Sequence, residues 1–338
     1  MKYRRIAVTR RGQPEVLQMI EDDLPEPAAG EVRVKVLASG VAFGDVIYRT
    51  VLRGNRLATP GYDIVGIVDK LGADVTTLAI GQVVAALPAR GGYAEYINIT
   101  ATELVPVPDG LDPAEAVCMV LNYVTAYQLL HRVAHVEKGQ RILIHGAAGG
   151  VGTALLQLGR LAEVEMYGTA SKGKHQVISE SGGMPIDYQK DDVVARLHNL
   201  GGSEPGGVDA VFDAIGGVAN LWHSYRALRA DGQLICYGFS SAVRNSKIHV
   251  AAILASAALL GIFSIIPGKS IKLYGITQMK SHHPQWYRED LMTLFDLLVQ
   301  KKIQPVISQR LPLTQAAQAH VLLEKSAVTG KIILVNYQ

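Results

Sequence analysis

Two hydrophobic patterns divide the chain. Up to about residue 122, short strand-like runs lie at 6–8, 31–37, 64–68, 82–86 and 93–97, with apolar and polar positions alternating at 31–37, punctuated by Pro25, Pro27, Pro60, Pro106 and Pro108. Short strands with turns at the prolines are the pattern of an irregular antiparallel barrel. From Asn122 on, apolar runs at 142–144, 164–169, 208–212, 234–237 and 271–276 lie between helical stretches such as 191–200. Unalternated runs separated by helices predict the buried strands of a parallel sheet, hence an α/β, doubly wound second domain. An amphipathic helix over about 288–301 follows. The tail 304–338, ending in a strand at 331–335, is expected to return to the first domain.

One stretch fits neither pattern. Residues 250–266 are 17 positions without a charge, flanked by Lys247 and His249 before and by Lys269 after Pro267-Gly268. A membrane span needs about 20 such residues. The segment falls short and is rich in Ala, Ser and Gly, so the expectation is a helix buried in protein, at a subunit contact or beside the substrate, rather than membrane association.

With 338 residues, 49% hydrophobic and 19% charged, the chain is long enough for two cored domains and is not disordered. A net charge of +3 without any block of like charges gives no reason to expect nucleic acid as a partner. Cys118 and Cys236, its two cysteines, sit far apart in apolar segments and are expected to be inert core thiols. The basic start Met1-Lys2-Tyr3-Arg4-Arg5 is followed by no apolar run of signal-peptide length, so a cytoplasmic location is expected.

The strongest chemical signal is residues 141–152, where the run Ile142-Leu143-Ile144 empties into His145-Gly146-Ala147-Ala148-Gly149-Gly150-Val151-Gly152. Gly149 and Gly152 fill the second and third glycine positions of a G-x-G-x-x-G fingerprint, and Ala147 stands at the first. Lacking Cβ atoms, Gly149 and Gly150 let the backbone approach a pyrophosphate. The helix beginning near Val151 offers free amides and its positive dipole end. After the second strand an NAD site usually places an acid for the ribose hydroxyls, whereas this chain has Ser171 and Lys172. A cation and a hydroxyl suit a 2′-phosphate, so NADPH is expected over NADH.

On these residues, together with Gly61-Tyr62-Asp63-Ile64-Val65-Gly66, Gly81-Gln82-Val83-Val84, Gly91-Gly92-Tyr93-Ala94-Glu95-Tyr96 and Gly330-Lys331-Ile332, the chain resembles the medium-chain dehydrogenase/reductase superfamily. The likeness is to its zinc-free quinone oxidoreductase branch, which includes zeta-crystallin. It implies a GroES-like β-barrel catalytic domain over 1–122, completed by 279–338, and a Rossmann domain with a doubly wound parallel sheet over 123–278. It also implies a homodimer joined through sheet edges, and hydride transfer from NADPH, in a cleft between the domains, to a small hydrophobic electron-poor substrate. Zinc-dependent relatives carry a ligand cysteine and a ligand histidine where this chain has Ala42 and Tyr62, so no zinc or other metal is expected. Without that Lewis acid, reduction of an already activated quinone or α,β-unsaturated carbonyl is the expected chemistry.

The resemblance further implies that Thr125 lies near the nicotinamide, that Tyr188 joins Lys172 at the 2′-phosphate, and that the Phe239-Ser240-Ser241 loop holds the carboxamide. Where the branch often has Asn and Tyr in the substrate segment, this chain has Ala42 and Ile47, leaving Tyr48 and Tyr62 as phenols able to donate to a carbonyl oxygen. Tyr48 reads equally well as a packed aromatic. Asp45 and Arg49, spaced i, i+4, are expected to form a helix-surface ion pair that shapes the site. The alternative is a nucleotide-binding protein without turnover, crystallin-like or redox-sensing at a membrane.

Overall fold

The computed structural model describes residues 1–51, 57–201, 206–244 and 247–336; the last two positions of the expected tail lie outside the described residues. The chain divides into two units. Met1–Val124, Asn245–Lys247 and Pro284–Gln338 form the first, and Thr125–Arg244 with Ile248–His283 the second.

The first unit is built around the long strand Glu31–Val41, whose alternating burial follows the alternation of its sequence. This strand pairs antiparallel with Ile64–Leu71, Tyr96–Thr100 and Lys331–Val335 in a seven-stranded sheet. Register shifts at Arg33/Val34 and Val36/Ala38 mark bulges, which bend the strand so that one end serves Tyr96–Thr100 and the other the returning tail. Val32, Val34, Val36, Ile64, Val68 and Val84 fill the space inside. The strand expected at 93–97 begins instead at Tyr96, because Tyr93 is drawn into a turn: its amide donates to Pro60 O (2.9 Å), while its carbonyl accepts from Ile6 N (2.8 Å). The expected 288–301 helix runs over Pro284–Val299; proline suits a first helical position, and Lys301, at φ 56°, turns the chain out of it.

In the second unit six parallel strands lie in the spatial order Met184–Asp187, Glu165–Ala170, Arg141–His145, Val208–Asp213, Leu228–Cys236, Ser270–Leu273. Numbered along the chain this is 3-2-1-4-5-6, the doubly wound dinucleotide-binding order. Its switch point lies between Arg141–His145 and Val208–Asp213, so the glycine-rich turn leaves the sheet where that topology opens a crevice. The run expected as a strand at 271–276 splits, with Ile276 opening the helix Ile276–His282.

Within this chain the apolar helix is only partly buried, which leaves a subunit contact as the cover the expectation allows for. Val250–Ser264 is helical, but only Ser256, Leu260 and Phe263 are fully buried, with Leu259 partly so, and Phe263 stacks on Tyr225. Leu254 and Ile262 remain 64% and 55% exposed, and Ile265 just beyond is 80% exposed. A helix that is apolar all round is buried only where something covers each face, and within this chain one face is covered. No helix among the described residues is long and apolar enough to cross a membrane.

Candidate cofactor and substrate sites

The glycine turn has the geometry of a phosphate cradle. Strand Arg141–His145 runs into Gly146 at φ 69°, a left-handed conformation glycine adopts without strain; Gly149 N then donates back to Gly146 O at 2.9 Å. Helix Gly150–Leu161 starts with Gly149 as its N-cap and no capping side chain, so its first-turn amides are left for an outside acceptor. A Cβ on Gly152 would lie 2.5 Å from Gly146 O and 2.6 Å from Ala147 Cα, so only glycine permits helix and turn to approach this closely. Ala147 is buried against Gly168 of the next strand, where a second Cβ would sit 2.7 Å from its own. The departure at the first fingerprint position is thus absorbed by a glycine elsewhere.

Beside this turn, Asp187 pairs with Ala170 in parallel register, so Tyr188 and Ser171 leave adjacent strands together and Lys172 follows. Lys172 is exposed with no hydrogen-bond or ionic partner among the described residues, and Tyr188 is also exposed. These residues, with Gly149, Gly150, Val151 and Gly152, fit a dinucleotide bearing a 2′-phosphate. Thr125 is buried in the helix Val124–Tyr127. The loop from Phe239 to Ser241 is already engaged: Ser240 N donates to Ala214 O and Ser241 N to Ile215 O, at 3.2 and 3.0 Å. Those two amides are therefore occupied, which narrows the carboxamide role expected of Phe239 and Ser241.

In the first unit the helix Phe43–Val51 places Asp45 and Arg49 inside rather than on its surface, which corrects the expected surface ion pair. Asp45 accepts from the amides of Ala42 (2.9 Å) and Gly61 (2.8 Å) and from the Tyr93 hydroxyl (3.1 Å). Arg49 donates to Gly12 O and pairs with Glu324. Asp45 thus staples the two segments that carry Ala42 and Tyr62. Burial pushes its carboxyl up to about 7, against the opposing pull of those amides and Tyr93. When Asp45 is ionised, Tyr93 gives its only proton to it, and Nε2 of His320, 3.3 Å away, donates to the phenol oxygen. Burial, with Arg49 nearby, lowers His320 to about 3 and keeps it neutral.

The two candidate phenols are half-buried. Tyr48 lies beneath the Arg90 guanidinium, 5.1 Å from ring centre to Cζ, and the ring of Tyr62 packs on Gly44, where a Cβ would meet it at 2.9 Å. A third group escaped the sequence reading. Lys331 is buried with its Nζ 2.7 Å from Asp63 Oδ2 and 3.1 Å from Asn122 Oδ1. Gly330, at φ 74° and pressed against Val306 O, turns Lys331 inward at the start of its strand. The only signal was a charged residue opening an otherwise apolar run. Cys118, buried nearby, has its thiol pushed up to about 12 by desolvation, as an inert thiol should. Among the described residues no group of three or more His, Cys, Asp and Glu could hold a metal ion.

Comparison with known proteins agrees with this layout. Residues 28–109 match the alcohol dehydrogenase GroES-like domain and residues 182–334 the zinc-binding dehydrogenase family. The synaptic vesicle membrane protein VAT-1 homolog of Danio rerio is 31% identical over 99% of this chain and 70% of its own length. Among solved structures, Escherichia coli quinone oxidoreductase complexed with NADPH matches with a TM-score of 0.86 at 26% identity, over 98% of this chain and all of the other. The human VAT-1 homolog-like protein matches with a TM-score of 0.83 at 27% identity, over 100% and 99% of the two chains. Both domains, in this order and over this length, mean that the chain belongs to the medium-chain dehydrogenase/reductase superfamily, in its zinc-free, quinone oxidoreductase-like branch.

Proposed function

We propose that the protein is an NADPH-dependent reductase of quinones or α,β-unsaturated carbonyls that works without zinc. The observation that carries this reading is the uncapped glycine cradle beside Ser171, Lys172 and Tyr188, three groups able to hold a 2′-phosphate where an NAD site would present an acid. The cofactor of the Escherichia coli neighbour is the same. When bound, NADPH supplies the hydride. The chain's own part is to hold the pyrophosphate on Gly149 to Gly152 and the 2′-phosphate on Lys172, with Thr125 near the nicotinamide. Tyr48 and Tyr62 present phenols to an acceptor's carbonyl oxygen as negative charge develops there; the proton that completes the reduction comes from one of them or from water. Asp45 and Arg49 hold these segments in place.

The reading includes a cytosolic homodimer. Ser270–Leu273 is an unpaired edge of the six-stranded sheet, Leu273 is exposed, and the uncovered face of Val250–Ser264 adds apolar area on the same unit. An open edge beside an apolar surface suits a second copy of this chain. Sedimentation of wild type against Leu273→Glu tests it: a dimer that the substitution splits is expected, and a monomeric wild type rejects it.

The first experiment follows the loss of nicotinamide absorbance with an ortho-quinone or an enone, NADPH against NADH. Turnover with NADPH well above NADH is expected, and Lys172→Glu should erase that preference by weakening NADPH selectively. Equal loss with both cofactors rejects the phosphate assignment; tight NADPH binding without turnover on any acceptor rejects the reductase in favour of a binding protein.

A further inference from the structure

Lys331 does more than neutralise Asp63: it fixes the orientation of an amide. Its ammonium group can only donate, so the Asn122 atom 3.1 Å away must be Oδ1. The reverse orientation would set two donors face to face beside a positive charge, so the usual ambiguity of an asparagine amide is resolved here by chemistry. Nδ2 therefore points away from the pair. It has no hydrogen-bond partner among the described residues, and it is not one of the enclosed, unpartnered side-chain atoms. Asn122 keeps 8% of its surface exposed, leaving an oriented donor at the edge of a buried cluster.

The surroundings of that donor are specific. A Cβ on Gly40 would lie 2.5 Å from Lys331 Nζ and 2.6 Å from Asp63 Oδ2, so the ion pair presses directly on the segment that leads to Ala42 and Asp45. Asp63 itself follows Tyr62. The two segments that carry the candidate phenols thus converge on the ion pair that holds Asn122. A buried cation behind an amide polarises it, strengthening its N–H groups toward any oxygen that gains negative charge.

We propose that the Nδ2 group of Asn122 is the hydrogen-bond donor to the carbonyl oxygen of the acceptor, with Lys331 and Asp63 as the residues that position it. This rests on the reductase reading and names a contact within it. The hydride's electron pair becomes the new C–H bond at the acceptor carbon, and the acceptor's π pair is displaced onto its conjugated oxygen. The amide meets that charge without giving up its own proton, which comes from a phenol or from water. The donor selects acceptors with an accessible carbonyl oxygen.

The test uses two variants of the full chain. Asn122→Asp keeps the shape and the contact with Lys331 but replaces the donor by a carboxylate, while Asn122→Ala removes the group. Loss of one such donor is expected to lower kcat/KM for a quinone by about 100-fold, mostly in kcat, with the Asp variant the worse of the two. NADPH affinity should stay within about twofold, a change of less than about 0.5 kcal/mol. In calorimetry without cofactor, where nothing can react, the affinity for the quinone should fall by about tenfold, as for one lost hydrogen bond. Unchanged quinone turnover and affinity overturn the proposal, and so does a loss confined to NADPH, which would assign the amide to the cofactor. If the Asp variant fails to fold, the Ala variant carries the same readouts. A wild type that binds the quinone but never reduces it defeats the reductase reading, while quinone affinity that is the same in wild type and Asn122→Ala defeats this one.

Discussion

The phosphate cradle and the polar cluster around Lys331 are both built for charge, yet in opposite ways. The cradle uses consecutive residues, Gly146 to Gly152, and almost no side chains; its work is done by backbone amides left free at a helix start. The cluster uses side chains alone, brought together from residues 63, 122 and 331 by a strand returning from the end of the chain. One is shaped by the absence of atoms, the other by their pairing. A site of the first kind should fail when an atom is added, and one of the second kind when a partner is taken away.

The sharpest break comes from removing the cation. Lys331→Met leaves the Asp63 carboxylate buried with Oδ1 already unpartnered, and Oδ2 then loses its ion-pair partner. Removing one member of a buried pair costs about 3–5 kcal/mol, so urea denaturation should show a loss of that size. Replacing both, as Lys331→Met with Asp63→Leu, should recover most of it. A single-variant loss below about 1 kcal/mol would place the pair with ordinary surface ion pairs and break the contrast. NADPH affinity should hardly move in the folded fraction.

The converse change adds atoms to the cradle. Gly152→Val puts a branched side chain where even a Cβ meets Gly146 O at 2.5 Å, and backbone cannot yield as a side chain does. The turn must open, spreading the amides meant for the pyrophosphate. NADPH affinity by fluorescence titration should fall by about 100-fold, near 2.7 kcal/mol, with Asp63 and Lys331 undisturbed. Wild-type affinity in this variant would mean that the cofactor is held elsewhere.

The two sites were unequally legible for the same physical reason. A cradle made of neighbours along the chain is written as a run of letters, and the alternation at 31–37 or the buried run at 142–144 spells its strand in the same local way. Asp45 and Arg49 misled because i, i+4 spacing suggests a pair on a helix surface, whereas their partners, Gly61, Tyr93, Gly12 and Glu324, come from elsewhere in the fold. The helix Val250–Ser264 is only half legible, because its composition asks for cover without saying what provides it. Asn122 and Lys331 stand 209 positions apart, and nothing local ties a lysine at a strand start to an asparagine in a helix.

The smallest effect tests whether side-chain sites alone answer to pH. With its carboxyl near 7 in the fold and near 3.8 when unfolded, Asp45 holds a proton in the folded state across that interval that the unfolded chain releases. Its contribution to stability is therefore greatest below about pH 4 and is lost as pH rises through 7. Protonated, Asp45 can donate to Tyr93, which then donates to the neutral Nε2 of His320; ionised, the chain of donors runs the other way. Asp45→Asn cannot titrate. Between pH 5.5 and pH 8 wild type should lose about 2 kcal/mol relative to this variant in parallel urea titrations, since each pH unit of the shifted range, which ends near 7, is worth about 1.4 kcal/mol. Parallel curves for the two would mean that Asp45 is ionised throughout, and that the amides of Ala42 and Gly61 outweigh its burial.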